Sequence, residues 1–201
     1  MARILSQRFT DPRTGHVYQV ALDFDRIAAL RENLSIGISA VRLPTDDAPG
    51  MELAATLNVD LAQGVIEIEI DGEVAGRISL NHGDFAAREL DDSGDAPDYA
   101  EDVWHRLKDY LMSDHEGGPD ALIEGAIQSL PVPDPVLGCL LKAGLSTTIG
   151  QAIRCHFEIR ERETLARRAR ALARCLAANS GTMIGRIIRR TIRCALFAGL
   201  G

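Results

Sequence analysis

Through residues 51–80 apolar and polar side chains alternate with a period of two in three successive segments, and few folds can absorb that pattern. Met51, Leu53, Ala55, Leu57, Val59 and Leu61 fall on one side of an extended chain, with Glu52, Thr56, Asn58 and Asp60 on the other. Ile66, Ile68 and Ile70 then alternate with Glu67 and Glu69, and Asp71-Gly72 makes a tight turn into Val74, Ile78 and Leu80. Strands with one apolar and one polar face are buried on one side only, so these segments predict an antiparallel meander covered on a single face.

The preceding residues extend the pattern. Residues 5–9 and 16–24 read as two strands joined by Asp11-Pro12-Arg13-Thr14-Gly15, where Pro pre-sets a turn and Gly supplies a left-handed position. Tyr18, Val20, Leu22 and Phe24 alternate with Gln19, Ala21 and Asp23. A short helix is expected over 25–33 and a further strand over 36–43.

Helical spacing takes over after residue 90. Asp98 with Glu101 forms a capping box ahead of Val103, Leu107 and Leu111, and Pro119-Asp120 opens a second helix with Leu122, Ile123, Ala126, Ile127 and Leu130 on one face. Three alternate prolines, Pro131, Pro133 and Pro135, enforce a stiff extended break, after which Asp134 caps a helix carrying Leu137, Leu140, Leu141 and Leu145. Gly144 and Ser146-Thr147-Thr148 are expected to separate it from a long helix with Ile149, Ile153, Phe157, Leu165, Ala169, Leu172 and Leu176 inward. Glu158 with Arg162 and Glu163 with Arg167 would support that helix as i,i+4 pairs. Asn179-Ser180-Gly181 reads as a stop and Thr182 as the cap of a last basic amphipathic helix. The expected fold is α+β: an acidic antiparallel sheet domain over 1–90 with one short helix, and an all-helical region over 91–201, broken at 131–135 and ending in basic helices.

Charge changes sign at the proline break. Residues 1–134 hold 10 basic and 26 acidic side chains, a net −16, whereas 135–201 hold 12 basic and 3 acidic, a net +9. Such asymmetry means either that the halves neutralise each other or that one meets a charged partner. Arginine outnumbers lysine eleven to one in the basic part, which suits bidentate contacts to carboxylate or phosphate and equally suits a GC-rich genome.

Four cysteines, at 139, 155, 175 and 194, fall in expected helices without a Cys-x-x-Cys pair, and are read as small buried apolar residues rather than a disulfide framework or zinc site. Apolar runs fall short of the ~20 residues that span a bilayer. The first eight residues are too short and polar for a signal peptide, so a cytoplasmic location is expected. Asp91-Asp92-Ser93-Gly94-Asp95 lacks the spacing of a calcium loop, and no metal or other cofactor is expected.

These features favour a non-enzymatic protein that binds another protein, of inhibitor, adaptor or chaperone type. Its expected surfaces are the acidic sheet face (Glu52, Asp60, Glu67, Glu69) and the basic helices (Arg167, Arg168, Arg170, Arg174, Arg186, Arg189, Arg190, Arg193), with self-association through the last helix as a further use. A nucleic-acid-associated protein holding phosphates with the same arginines is the alternative, opposed by the acidic net charge of −7 and by the scarcity of aromatic residues. A second alternative is an enzyme using His82, Asp84, His105 or His115, although no nucleophile or oxyanion donor accompanies them. A third account has the basic helices docked on the protein's own acidic half.

Overall fold

The computed structural model describes residues 3–24, 33–79, 119–159 and 164–197. The short helix expected over 25–33, the capped helix after Asp98 and the four histidine and aspartate candidates between 82 and 115 lie outside these residues, apart from Asn33.

Six strands, β1 (Arg3–Thr10), β2 (Val17–Phe24), β3 (Asn33–Arg42), β4 (Met51–Asp60), β5 (Val65–Ile70) and β6 (Glu73–Ser79), form one antiparallel sheet in sequence order. The meander is therefore as the alternation predicts. Register keeps each apolar set on one face: Leu22 pairs with Ile38, Ala40 with Leu53, Leu57 with Ile68 and Ile66 with Ile78. A one-residue slip would turn all of them to solvent. Tight turns secure the register. Asp71 (φ 51°) and Gly72 (φ 85°) both occupy the left-handed region, as a two-residue turn matched to strand twist requires. In the β1–β2 turn the Asp11 carboxylate accepts from the Arg13 amide (3.0 Å) and the Thr14 hydroxyl (2.9 Å).

Three helices, α1 (Pro119–Ser129), α2 (Pro135–Glu158) and α3 (Leu165–Phe197), lie in one layer on the apolar face of the sheet. α1 covers β6, α2 covers β3 and β4, and α3 covers β1 and β2. The middle helix is accordingly apolar nearly all round: Leu137, Leu140, Leu141, Leu145 and Ile149 are buried between sheet and neighbouring helices. Its stretch Pro135–His156 is long and apolar enough to cross a bilayer by length and composition, and 78% of its most apolar window is buried in the fold, as in a core helix. Gly144 is part of that packing and interrupts nothing, because a Cβ there would lie 2.9 Å from Ile38 Cγ2.

The helix boundaries differ from the expected ones. α2 runs unbroken through Ser146-Thr147-Thr148, and α3 through Asn179-Ser180-Gly181, while α2 ends at Glu158 and α3 begins at Leu165, where one continuous helix was expected. Polar side chains in α3 bond back to their own helix: Asn179 Nδ2 donates to the Cys175 carbonyl (2.9 Å) and Ser180 Oγ to that of Ala177 (2.6 Å). Leu176, Met183 and Ile187 pack on both sides of the triplet, so burial overrides the local stop signal. The working N-cap is Thr164, whose hydroxyl accepts from the Arg167 amide at 3.3 Å, and not Thr182.

α2 and α3 thus form an antiparallel hairpin, and the cysteines staple it. Disulfides join Cys155 to Cys175 near the turn and Cys139 to Cys194 near the open end. This corrects the reading of four separate buried thiols. Facing helices put the outer pair and the inner pair together, a relation that only the antiparallel arrangement of α2 and α3 creates. Arg190 adds a polar clasp, donating to Ser146 Oγ (2.9 Å) and more weakly to Thr147 Oγ1 (3.4 Å) across the hairpin.

Candidate interaction surfaces

Among the described residues two carboxylates are buried, Asp11 in the β1–β2 turn and Asp134, which the extended proline segment delivers to the ends of β2 and β3. Its carboxylate caps α2 by accepting from the Val136 and Leu137 amides at 2.9 and 3.2 Å, as the Asp-Pro pattern predicts. The same group accepts from the Tyr18 hydroxyl (2.9 Å) and pairs with Arg42 Nη1 (2.8 Å), tying the helix layer to the sheet. Burial and then the Asp134 carboxylate push the Tyr18 phenol far above its ordinary range. Neither Tyr18 nor Arg42 is singled out by the sequence as a partner of Asp134, because both contacts span more than ninety residues. Every group in this node is satisfied by another, apart from Arg42 Nε, so its work is structural.

The acidic set does share one face, the side of the sheet turned away from the helices. In the register Glu69 stands opposite Thr56 and Glu67 opposite Asn58, while Glu52 and Asp60 lie at the two ends of β4. Most of these carboxylates are already occupied. Glu67 pairs with Arg77 (2.7 Å), Glu69 accepts from Asn58 Nδ2 (2.8 Å), and Asp60 accepts from the Ala62 and Gln63 amides (both 2.9 Å) to close the next turn. Glu52 alone of the four is exposed.

The arginines divide differently. Arg190 faces α2 and Arg168 is half-buried, whereas Arg167, Arg170, Arg174, Arg186, Arg189 and Arg193 are exposed along α3. Arg170, Arg174, Arg186, Arg189 and Arg193 have no carboxylate partner among the described residues. They lie on the outer surface of the helix layer, across the molecule from the acidic face, so these arginines are not docked on the acids of the chain's own sheet. Ile192 and Leu196 are exposed beside them. Among the described residues no group of three or more His, Cys, Asp or Glu side chains could hold a metal ion.

No family model, no curated protein and no solved structure matches this chain.

Proposed function

We propose that this protein acts by binding another protein, as an adaptor or inhibitor rather than a catalyst, and that the outer face of α3 is the surface it uses. The observation that carries this reading is the set of five exposed arginines without a carboxylate partner among the described residues, in a chain of net charge −7. Their guanidinium groups suit bidentate contacts to the carboxylates of an acidic partner. The acidic sheet face contributes less than the sequence suggests, since three of its four carboxylates already serve the sheet.

Phosphates would satisfy the same arginines, which makes nucleic-acid binding the second reading. The two disulfides weigh against it. Structural disulfides persist in oxidising compartments, where nucleic acid is not the usual ligand, and they favour such a compartment over the cytoplasm.

A salt series separates the two. The disulfide-bonded protein is applied to immobilised polyglutamate, labelled duplex DNA and single-stranded RNA, alongside a variant carrying Arg186→Ala, Arg189→Ala and Arg193→Ala. Retention on polyglutamate that fades with salt and with the substitutions supports the proposal. Tighter, arginine-dependent retention on DNA or RNA replaces it with the nucleic-acid reading.

A further inference from the structure

Resting on the reading of α3 as a protein-binding face, we infer that its occupant is an acidic helix of another protein, laid across α3 at Gly181 and Gly185. The arginines without a carboxylate among the described residues stand in two groups, Arg170 and Arg174 toward one end and Arg186, Arg189 and Arg193 toward the other, with Arg189 Nε also donating to the Gly185 carbonyl (3.2 Å). The step of three then four between Arg186, Arg189 and Arg193 repeats that of Arg167, Arg170 and Arg174, which places the centres of the two sets about 28 Å apart along the helix. Between them the exposed surface narrows to Ala178, Gly181 and Thr182, with Gly185 half-buried beside them.

The two glycines have no task inside the fold. A Cβ at Gly181 or Gly185 would meet nothing within 4 Å, whereas one at Gly144 or Gly76 would collide with Ile38 or Leu122. Glycine weakens a helix interior relative to alanine, and here no internal contact repays it. A low waist between two basic ends has the shape and charge to receive a second helix: small residues let the backbones approach, and carboxylates on the visitor's two flanks reach the two arginine groups. The disulfides hold α3 against α2, so this surface is rigid before the partner arrives.

Charge also selects among occupants. A second copy presenting its own α3 would bring arginine against arginine, and its acidic sheet face has most carboxylates engaged. Among the described side chains a membrane would find only Ile192 and Leu196 as exposed large apolar groups on α3, with Leu172, Leu176, Met183, Ile184 and Ile187 buried.

The test uses a fluorescent 30-residue helical peptide with glutamates spaced three and four apart near both ends and alanines at its middle, and a control with lysines in place of the glutamates. Binding to the disulfide-bonded protein is followed by anisotropy. The inference expects the glutamate peptide to bind, the lysine peptide not to bind, and affinity to fall at least tenfold in Gly181→Leu with Gly185→Leu. In the milder Gly181→Ala with Gly185→Ala, affinity falls while the melting temperature holds or rises, which a folding defect could not produce. Affinity that drops with the arginine substitutions and ignores both glycine pairs overturns the crossing helix and leaves the broader protein-binding reading standing. Failure of the glutamate peptide at low salt, with polyglutamate still retained, also overturns it. Failure of both probes removes the broader reading as well. Tighter glycine-dependent binding to duplex DNA, or to vesicles of 30% phosphatidylglycerol in phosphatidylcholine, assigns the surface to a different class of ligand.

Discussion

The sheet and the helix layer are held together by different means. The sheet rests on register: each strand pairs with its sequence neighbour, short turns set the alignment, and alternate side chains from Tyr18 to Ile78 are buried on one face. The α2–α3 hairpin joins residues up to 55 positions apart, carries an arginine-rich outer face, and is secured by two covalent links and an arginine clasp. A meander tolerates a polar open face because hydrogen bonds between neighbouring strands persist beneath it. An edge helix with so many exposed cations has less apolar surface to hold it, and cross-links add to what packing supplies.

Removing the links should break this contrast most visibly. Replacing Cys139 and Cys194 by Ala removes a 55-residue closure and is expected to lower stability by about 4 kcal/mol, and replacing Cys155 and Cys175, a 20-residue closure, by about 3 kcal/mol. Urea unfolding under oxidising conditions measures both. Losses well under 1 kcal/mol would show that packing alone holds the hairpin, as it does the sheet.

The junction between the two regions is expected to be nearly as sensitive. Asp134→Ala removes the α2 cap and leaves Arg42 half-enclosed without its counter-charge, at a cost of about 3 kcal/mol. Asp134→Asn retains a capping oxygen and should cost less. Equal losses from the two would mean that the ion pair with Arg42 contributes nothing beyond the cap.

Packing between the layers comes next. Gly144→Leu drives a side chain into Ile38 and should destabilise by about 2 kcal/mol, measured by thermal melting. At Gly181, on the outer side of the neighbouring helix, Ala is expected to stabilise by up to about 1 kcal/mol, since the site is helical and open. A cost at Gly181 would reveal an internal contact there.

The smallest effect belongs to the β1–β2 turn. Burial pushes the Asp11 carboxyl up, but the Arg13 amide, the Thr14 hydroxyl and the Arg13 charge outweigh it and hold the group below its ordinary value of 3.8. Because the folded value lies below the unfolded one, Asp11 stabilises the protein above pH 3.8, and that contribution is lost as pH falls through the lower folded value. Asp11→Asn should therefore flatten the acid limb of a stability–pH curve. An unchanged limb would assign acid sensitivity to other carboxylates.

Where elements depend on neighbours in sequence, they were legible. Alternation marked the strands, Asp71-Gly72 marked its turn, and Asp134-Pro135 marked the start of α2. The helix boundaries after that were not legible, because the stop signal at Asn179-Ser180-Gly181 is local whereas the burial of Leu176 and Ile187 that overrides it is tertiary. Cysteine spacing held a usable signal: steps of 16 and 19 on two facing helices are compatible with two rungs. Reading it required knowing that the chain turns between them.

The α+β class, the one-sided sheet and the opposite charges of the two halves were thus determined by the sequence itself, since each follows from periodicity or composition. Which cysteines join, which carboxylates are already used, and which arginines face outward were decided only by the tertiary structure. Those properties depend on what lies across a hairpin or a sheet, and distance along the chain does not encode it.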